Sequence, residues 1–390
     1  MKFIHTADWH LGKLVQGVYM TEDQRFVLQQ LVDVVERERP DAVVIAGDLY
    51  DRAVPPTEAV DLLDKLFAKI VIELNTPILA ISGNHDSPDR LNFATDIMEA
   101  RGLHLAGQLK PEPKPVVLRD EYGEVHFHLV PYADPAQVRY TYGNEEIRSH
   151  DDAMREITSR IEASMNPKAR HVFVGHAFVT PGAAPQENTS QSERPLSIGG
   201  AEYVHAEYFK SFHYTALGHL HQAHFVSNET VRYAGSPLKY SISEESHRKG
   251  FLVVDMDGTG VVHVDKRELK PRRDMRRVVA PIEEIEQHSI CEDYVFVTLH
   301  NDNPVLFPME KVRAVYPNAL HVERRVTAAA GGSGTGSTAS GDGSARREAN
   351  PVALFTAFYE EVKGIPLSKD KQKLFAETYA DVLREDGGAV

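Results

Sequence analysis

The sequence lacks several features that define large classes of proteins. Its 390 residues include one cysteine, Cys291, so the chain can form neither an internal disulfide framework nor a zinc site built from several cysteines. No apolar run approaches the ~18 residues of a membrane span. No basic leader with an apolar stretch and a cleavage site precedes the first motif. We therefore expect a cytoplasmic protein without a membrane segment.

Basic residues are also scarce. The chain has 43 Lys and Arg against 57 Asp and Glu, a formal net charge of −14, which is not typical of a general nucleic-acid binder. Contact with a polyanion would need metal ions or a local basic patch. Residues 266–277 (KRELKPRRDMRR) form such a patch, so Arg272 and Arg273, together with Arg90, are candidate phosphate contacts. A solvated hinge is an equally good interpretation of this run.

Apolar runs and helical periodicities alternate at the start of the chain. The patterns predict strands at 2–7, 42–46 and 77–81 and helices at 22–39, 57–72 and about 89–100. This βαβαβα order predicts an α/β fold with helices covering a sheet. After residue 103, short alternating segments predict a second sheet, with one helix near 145–165.

Composition divides the chain into four expected segments. Residues 1–270 form the main domain and 271–326 a small α/β unit, while the Gly/Ser-rich residues 327–349 are typical of a flexible linker. Residues 350–386 are expected to form two helices with apolar faces. Such a face normally meets another protein, although folding back or forming a self-contained hairpin is an alternative. The apolar residues of the two faces are Leu354, Phe355, Phe358, Tyr359 and Val362, and Leu374, Phe375, Tyr379, Val382 and Leu383.

Five short polar motifs each follow an apolar run. Any one of them is most typical of a turn, but the set is difficult to explain as turns alone. Four contain a Gly directly before the polar residue, which permits close backbone approach. The motifs are Asp8-x-His10, Gly47-Asp48, Gly83-Asn84-His85-Asp86, Gly175-His176 and Gly218-His219-Leu220-His221.

Together the motifs supply the ligands that divalent metals use in the absence of sulfur. They are enough for two ions about 3.5–4 Å apart if one carboxylate bridges, which suits hydrolysis of a phosphate ester. Asp48, at the end of a strand expected to be central, is the natural bridge. The candidate ligands are Asp8, His10, Asp48, Asn84, His176, His219 and His221.

His85 is the candidate general acid, because it lies beside a candidate ligand and imidazole can protonate a leaving oxygen near neutral pH. Asp86 is expected to hold the other ring nitrogen of His85. For Asp51 and Asp86, a turn role or indirect support of the site is an equally good interpretation.

The motifs DWH, GDLYD, GNHD, GH and GHLH together resemble those of the calcineurin-like metallophosphoesterase superfamily. Within it, the segments HTADWHLGK, VIAGDLYDRAVPP, ISGNHDSPDRL, SERPLSIGG and ALGHLHQAH resemble the SbcD family, the nuclease subunits of bacterial SbcC–SbcD complexes. The likeness runs from Met1 to about Arg325. It implies two mixed β-sheets sandwiched by helices. It also implies one ion held by Asp8, His10, Asp48 and His221, and another by Asp48, Asn84, His176 and His219.

The resemblance further implies an activity and partners. The activity is metal-dependent exonuclease and endonuclease cleavage of DNA ends and hairpins in recombination, repair and replication, with manganese as the usual metal. Residues 271–326 would be a DNA-capping domain, and the helices of 350–386 would bind the ATPase SbcC. A homodimer within a heterotetramer is also implied. Archaeal members carry a His where this chain has Asp51, which leaves the role of Asp51 open.

Two other functions compete with this one. A small-molecule or cyclic-nucleotide phosphodiesterase could use the same di-metal site, although it would need neither a capping domain nor partner helices. A non-catalytic DNA-binding scaffold would be marked by missing ligands, and all seven are present here.

Overall fold

The computed structural model describes residues 1–182, 190–193, 196, 203–301, 303–325, 352, 355, 356, 359 and 367–386. The predicted linker at 327–349, most of the predicted helix from 350 and most of the SERPLSIGG segment lie outside the described residues. The chain divides into two compact units, Met1–Thr327 and Ala328–Val390.

Helices of the first unit fall mainly between strands. A π-helical turn, Ala68–Glu73, continues α2, and 3-10 turns occur at Ala206–Phe209 and Ile242–Glu244. In chain order the described helices are α1 (Thr21–Glu38), α2 (Thr57–Phe67), α3 (Pro88–Leu91), α4 (Thr95–Glu99), α5 (Pro135–Tyr142), α6 (His150–Ser164), α7 (Ile282–Ile285), α8 (Pro308–Val315) and, in the second unit, α9 (Lys369–Asp386).

Strands account for most of the remaining regular structure, and many are short and fully buried. In chain order the described strands are β1 (Lys2–Thr6), β2 (Leu14–Val15), β3 (Val18–Tyr19), β4 (Ala42–Ile45), β5 (Ile78–Ile81), β6 (Leu103–Ala106), β7 (Val116–Asp120), β8 (Gly123–Leu129), β9 (Arg170–His176), β10 (Phe178–Thr180), β11 (Tyr203–His205), β12 (Tyr214–Gly218), β13 (His224–Val226), β14 (Asn228–Tyr233), β15 (Gly250–Met256), β16 (Val262–Glu268), β17 (Met275–Ala280), β18 (Tyr294–Leu299) and β19 (His321–Arg324).

Two six-stranded mixed sheets form the centre of the first unit. The first has the order β16-β15-β1-β4-β5-β6, in which β1, β4, β5 and β6 run parallel. The second has the order β13-β14-β12-β9-β8-β7, in which β14, β12, β9 and β8 run parallel. The predicted parallel βαβ layout and the central position of β4 are confirmed.

The two sheets pack face to face through an apolar core. Phe3 of the first sheet meets Phe127 and Tyr214 of the second edge-to-face, with ring centroids 5.4 Å and 5.6 Å apart. The buried His5 bonds to the Tyr214 hydroxyl at 2.9 Å and to the Leu217 carbonyl oxygen at 3.2 Å. Its polar atoms are therefore satisfied within the apolar layer.

Helices cover the outer faces of both sheets. The apolar face of α1, which includes Leu28 and Leu31, packs with α2 against the first sheet. Ile157 and Ile161 of α6 belong to the core that covers the second sheet. The predicted sandwich of two mixed sheets between helices is confirmed.

Two local predictions were wrong or missing. The expected helix at 89–100 is split into α3 and α4, because Ala94 adopts a left-handed conformation with φ +57°. Helix α5 was not predicted, although Asp134 caps it and Gly143 ends it. In the basic run at 266–277, β16 ends at Glu268 and β17 begins at Met275.

Strands β17, β18 and β19 form a separate three-stranded parallel sheet. Its core contains Val278, Val295 and Val297 from the strands and Val312 from α8. The region expected to be a small α/β unit therefore contains both strands and helices. Division of the first unit at residue 270 stays a prediction.

In the second unit, α9 presents apolar side chains to solvent. Leu374 is 64% exposed and Tyr379 is 38% exposed. Throughout the described parts of both units, every helix is too short or too polar to cross a bilayer.

Glycines let the two large sheets approach each other closely at one place. A Cβ on Gly218, at the end of β12, would collide with the carbonyl oxygen of Ala46 after β4, and a Cβ on Gly47 would collide with the His176 ring. Gly47 also has φ +92°, which side chains rarely tolerate. The carboxyl ends of β4, β9 and β12 can therefore meet at one point.

We expect Gly218→Ala to force these strand ends apart. The free energy of unfolding should fall by about 1–3 kcal/mol, as for other overpacked sites. Urea denaturation measures the change. Gly182→Ala is the matched control, because a Cβ there meets nothing within 4 Å, and equal stability of the two variants would contradict the proposed contact.

Candidate metal centre

Loops after five buried strands converge on one site. β1 leads to Asp8 and His10, and the other four strands lead to the remaining motif residues. Asp48 follows β4, and Asn84 and His85 follow β5. His176 ends β9, and His219 and His221 follow β12. All six Asp and His candidate ligands are buried, with at most 5% of each residue exposed. The predicted ligands therefore lie together, at the carboxyl ends of parallel strands from both large sheets.

The backbone is strained at several of these residues. Asp8, His10 and Asp48 have φ of 53°, 45° and 52°, and His219 has φ of 104°. Such conformations are costly for residues other than glycine and concentrate at functional sites. Hydrogen bonds hold them: the Asp8 amide donates to the Gly47 carbonyl at 3.1 Å, and the His10 amide to the Asp48 carbonyl at 2.9 Å.

The Asp48 carboxylate is the midpoint of the site. Its Oδ2 lies 3.5 Å from His10 Nε2 on one side and 3.4 Å from His176 Nε2 on the other. Its Oδ1 accepts a hydrogen bond from the His85 amide at 2.9 Å. The backbone thereby fixes Oδ1, while Oδ2 lies between two imidazoles. A carboxylate oxygen shared by two cations would occupy such a position.

Asp8, His10 and His221 form the first half of the centre. Each has a ligand atom within 4.8 Å of the others, and His10 Nε2 lies 3.1 Å from His221 Nε2. Two nitrogens each about 2.1 Å from one ion would be about 3 Å apart. Among the described residues, Asp8 Oδ2 is buried without a hydrogen-bond partner.

Asp48, His176 and Asn84 form the second half. His176 Nδ1 donates to the Ala46 carbonyl at 2.9 Å, and its Nε2 lies 3.0 Å from Asn84 Oδ1. The His219 ring lies beside the His176 ring, with the two ring centroids 5.4 Å apart. These side chains thus present nitrogen and oxygen donors on the other side of Asp48.

Burial dominates the electrostatics of the centre. It raises the pKa of Asp8 well above the ordinary value and lowers the pKa values of His10, His219 and His221. Burial also acts to raise the pKa of Asp48, but the neighbouring His176 and His10 outweigh it and hold this pKa well below the usual range. The neutral imidazoles of His10, His219 and His221 and the Asp48 carboxylate are in states that metal ligands require. Burial acts to lower the pKa of His176 as well, but Asp48 outweighs it and raises that pKa to about 9, so a cation bound there would displace a proton.

The donor set therefore fits divalent cations. Nitrogen and oxygen ligands without sulfur suit Mn²⁺, Zn²⁺ or Fe²⁺. A cation on either side of Asp48 Oδ2 would satisfy the unpartnered Asp8 Oδ2 and compensate the cost of burying two carboxylates.

His85 lies at the edge of this centre. Its ring is 4.7 Å from the ring of His10, and its Nδ1 donates to the Asp51 carbonyl oxygen at 2.8 Å. Nε2 is therefore the atom that can exchange a proton. The expectation that Asp86 holds the ring was wrong, because the Asp51 main chain does so.

Asp86 instead joins two of the metal-site loops. Its carboxylate accepts from the amides of Leu49, Tyr50 and Gly83 at 3.1, 2.9 and 2.9 Å. Burial, with the nearby Asp48 charge, raises its pKa to about 7. Asp86 thereby fixes the loop that carries Asn84 against the loop that carries Asp48.

Asp51 lies in a third group with His10 and His85, each with a ligand atom within 4.8 Å of the others. Lys13 Nζ lies 2.7 Å from its Oδ1. Burial acts to raise its pKa, but His10 and Lys13 hold that pKa at about 2. The carboxylate thus has a cationic partner from the chain itself.

The predicted phosphate contacts lie outside this cluster. Arg90 is exposed on α3, and Arg272 is exposed between β16 and β17. Arg273 forms ion pairs with Asp23 at 3.3 Å and Glu292 at 3.4 Å. Binding of DNA by Arg273 stays a prediction and would compete with these carboxylates.

Two supporting residues escaped sequence analysis. Gln24 of α1 donates to the His10 carbonyl at 2.7 Å and accepts from the Gly12 amide at 3.1 Å. Its position on the apolar face of α1 was an available signal. Glu244, 3.1 Å from His221 Nδ1, lies in a segment whose sequence gives no such signal.

Comparisons with known proteins identify the family of the chain. The family model described as calcineurin-like phosphoesterase matches residues 1–223, and the one described as type 5 capsule protein repressor C-terminal domain matches residues 271–363. Proteins named as the SbcD subunit of the nuclease SbcCD are similar to the chain. The one from Staphylococcus epidermidis is 36% identical, covering 82% of this chain and 84% of that protein. The one from Staphylococcus saprophyticus is 33% identical, with the same coverage of each chain.

Solved structures show a more distant likeness. A dimetal phosphatase from Danio rerio is 12% identical, with a TM-score of 0.40, covering 69% of this chain and 96% of that one. A likeness at this level carries no functional argument. The sequence relatives are much closer, and the chain belongs to the SbcD family within the calcineurin-like phosphoesterases.

Proposed function

We propose that the chain is a metal-dependent DNA nuclease, an exonuclease and endonuclease that acts as the nuclease subunit of an SbcC–SbcD complex. The observation that carries the proposal is the placement of Asp48 Oδ2 between His10 Nε2 and His176 Nε2, at 3.5 Å and 3.4 Å. Nuclease activity and the SbcCD complex are taken from the names of the relatives, and DNA as the substrate from the family resemblance.

The side chains divide the work of hydrolysis. Two divalent cations, which we expect to be Mn²⁺, would when bound activate water and neutralise charge on the phosphate. Asp8, His10, Asp48 and His221 would hold one, and Asp48, Asn84, His176 and His219 the other. Asp48 fixes the spacing between the two halves. As an imidazolium, His85 would donate the Nε2 proton to the leaving oxygen, while the Asp51 carbonyl, which accepts from Nδ1, orients its ring.

The proposed function gives each segment of the chain a role. Residues 1–270 would be the nuclease domain and 271–326 the DNA-capping domain, with Arg90, Arg272 and Arg273 as phosphate contacts. Residues 327–349 would be the linker, and 350–386 the helical pair that binds SbcC. The complex would act in the cytoplasm, in DNA recombination, repair and replication.

We expect the purified chain, with Mn²⁺, to cleave duplex DNA and hairpins. The alternative, a small-molecule or cyclic-nucleotide phosphodiesterase, predicts turnover of bis-nitrophenyl phosphate without DNA cleavage. Turnover of both substrates is measured under the same conditions. Activity restricted to the small ester would reject the nuclease assignment.

His85→Ala should lower DNA cleavage about 10²–10⁴-fold, because the leaving oxygen loses its proton donor. Affinities for Mn²⁺ and DNA should stay unchanged, since His85 is not assigned as a ligand. Single-turnover cleavage and equilibrium binding separate these effects.

His104→Ala is the matched control for that variant. His104 is half-buried near Glu99 and is outside the metal centre, so its loss should leave cleavage intact. Normal cleavage by His85→Ala would exclude its role as the acid.

Removal of residues 350–390 should abolish binding to SbcC while metal-dependent cleavage by the chain survives. Leu374→Asp should weaken binding, since it places a charge on an exposed apolar face of α9, whereas Lys373→Ala should not. Co-purification measures the association.

Light scattering of the intact complex should give a mass that corresponds to two copies of each chain. A mass that corresponds to one copy of each chain would reject the homodimer.

A further inference from the structure

The most completely satisfied charged group beside the metal centre is the carboxylate of Glu244, in the 3-10 turn between β14 and β15. Glu244 and its partner Lys249 are buried, at 0% and 7% exposure. Burial of a charged pair is costly unless both groups gain hydrogen bonds. The contacts of this pair lead to one metal-site residue, His221.

Glu244 holds the ring of His221. Its Oε1 lies 3.1 Å from His221 Nδ1, and the Ser192 hydroxyl lies 2.8 Å from the same nitrogen while donating to Glu244 Oε1. The nearby carboxylate and the accepting hydroxyl place the proton on Nδ1. The lone pair of His221 is then on Nε2, which faces His10 Nε2 at 3.1 Å.

Lys249 holds the main chain of the same residue. Its Nζ donates to the His221 carbonyl at 2.8 Å and to Ser236 Oγ at 2.8 Å, and it lies 2.5 Å from Glu244 Oε2. The Tyr240 amide also donates to Oε2, at 3.3 Å. Ring and backbone of His221 are thus fixed by opposite ends of one ion pair.

We propose that Glu244, supported by Lys249, is a positioning residue that fixes the tautomer and orientation of His221 for one of the two cations. This inference rests on the proposed di-metal centre. Carboxylates that accept from metal-binding histidines commonly change metal affinity 10–100-fold when they are removed. The second half of the centre, around His176, is oriented by the Ala46 carbonyl instead, so the effect should be confined to one site.

A purely structural ion pair would behave differently. It would change folding stability without distinguishing one cation site from the other. Asp120 provides the matched comparison, because its carboxylate pairs with Arg170 at 2.5 Å and has no bond to a candidate ligand among its described contacts.

Isothermal titration of the full chain with Mn²⁺ tests the proposal. Wild type should bind two ions. Glu244→Gln should weaken one site about 10–100-fold and leave the other unchanged, while Asp120→Asn should match wild type. Unchanged Mn²⁺ affinities in Glu244→Gln would overturn the positioning role. Equal weakening of both sites in both variants would also overturn it.

Two further outcomes are informative. Failure of wild type to bind Mn²⁺ would overturn the metal centre itself, and with it the proposed function. If Glu244→Gln does not fold, Glu244→Leu/Lys249→Met removes both charges together, which buried pairs often tolerate. That variant should also bind Mn²⁺ more weakly at one site, and retention of two sites with wild-type affinity would overturn the inference.

Discussion

The candidate metal centre is organised around one buried oxygen atom, Asp48 Oδ2. This atom lies between two imidazole nitrogens whose residues follow or end strands of different sheets. His10 follows β1 of the first sheet, and His176 ends β9 of the second. The carboxyl ends of interior strands from both sheets must therefore lie close together at this point, in addition to the face-to-face packing of the core. Glycines at 47 and 218 make that approach sterically feasible, since a Cβ at either position would collide with the opposite sheet.

The carboxyl groups around this oxygen differ in how fully the protein satisfies them with hydrogen bonds. Asp86 is fully engaged by three backbone amides, and Glu244 by Lys249 and hydroxyl groups. Asp8 keeps a buried oxygen without a hydrogen-bond partner among the described residues. The contrast separates the carboxyl groups that hold the loops from one that keeps an oxygen available to a cation, because a buried polar atom without a partner is costly.

Sequence analysis found the residues that chemistry restricts to a few types. Asp8, His10 and Asp48 follow strands with strong apolar patterns, so both the fold and the convergence of the motifs could be predicted. It did not find roles set by tertiary contacts. The partner of His85 is a main-chain carbonyl, which has no sequence signature, and Glu244 meets His221 only after the turn at Ile242–Glu244 has formed. Ala94 broke a periodic helix through its backbone conformation.

The proposed function requires two cations that share Asp48 as a ligand. Anomalous diffraction at the manganese edge, from crystals grown with Mn²⁺, tests this requirement directly. A di-metal centre should give two peaks about 3.5–4 Å apart, both beside Asp48 Oδ2. A single peak, or two peaks that do not share this oxygen, would contradict it.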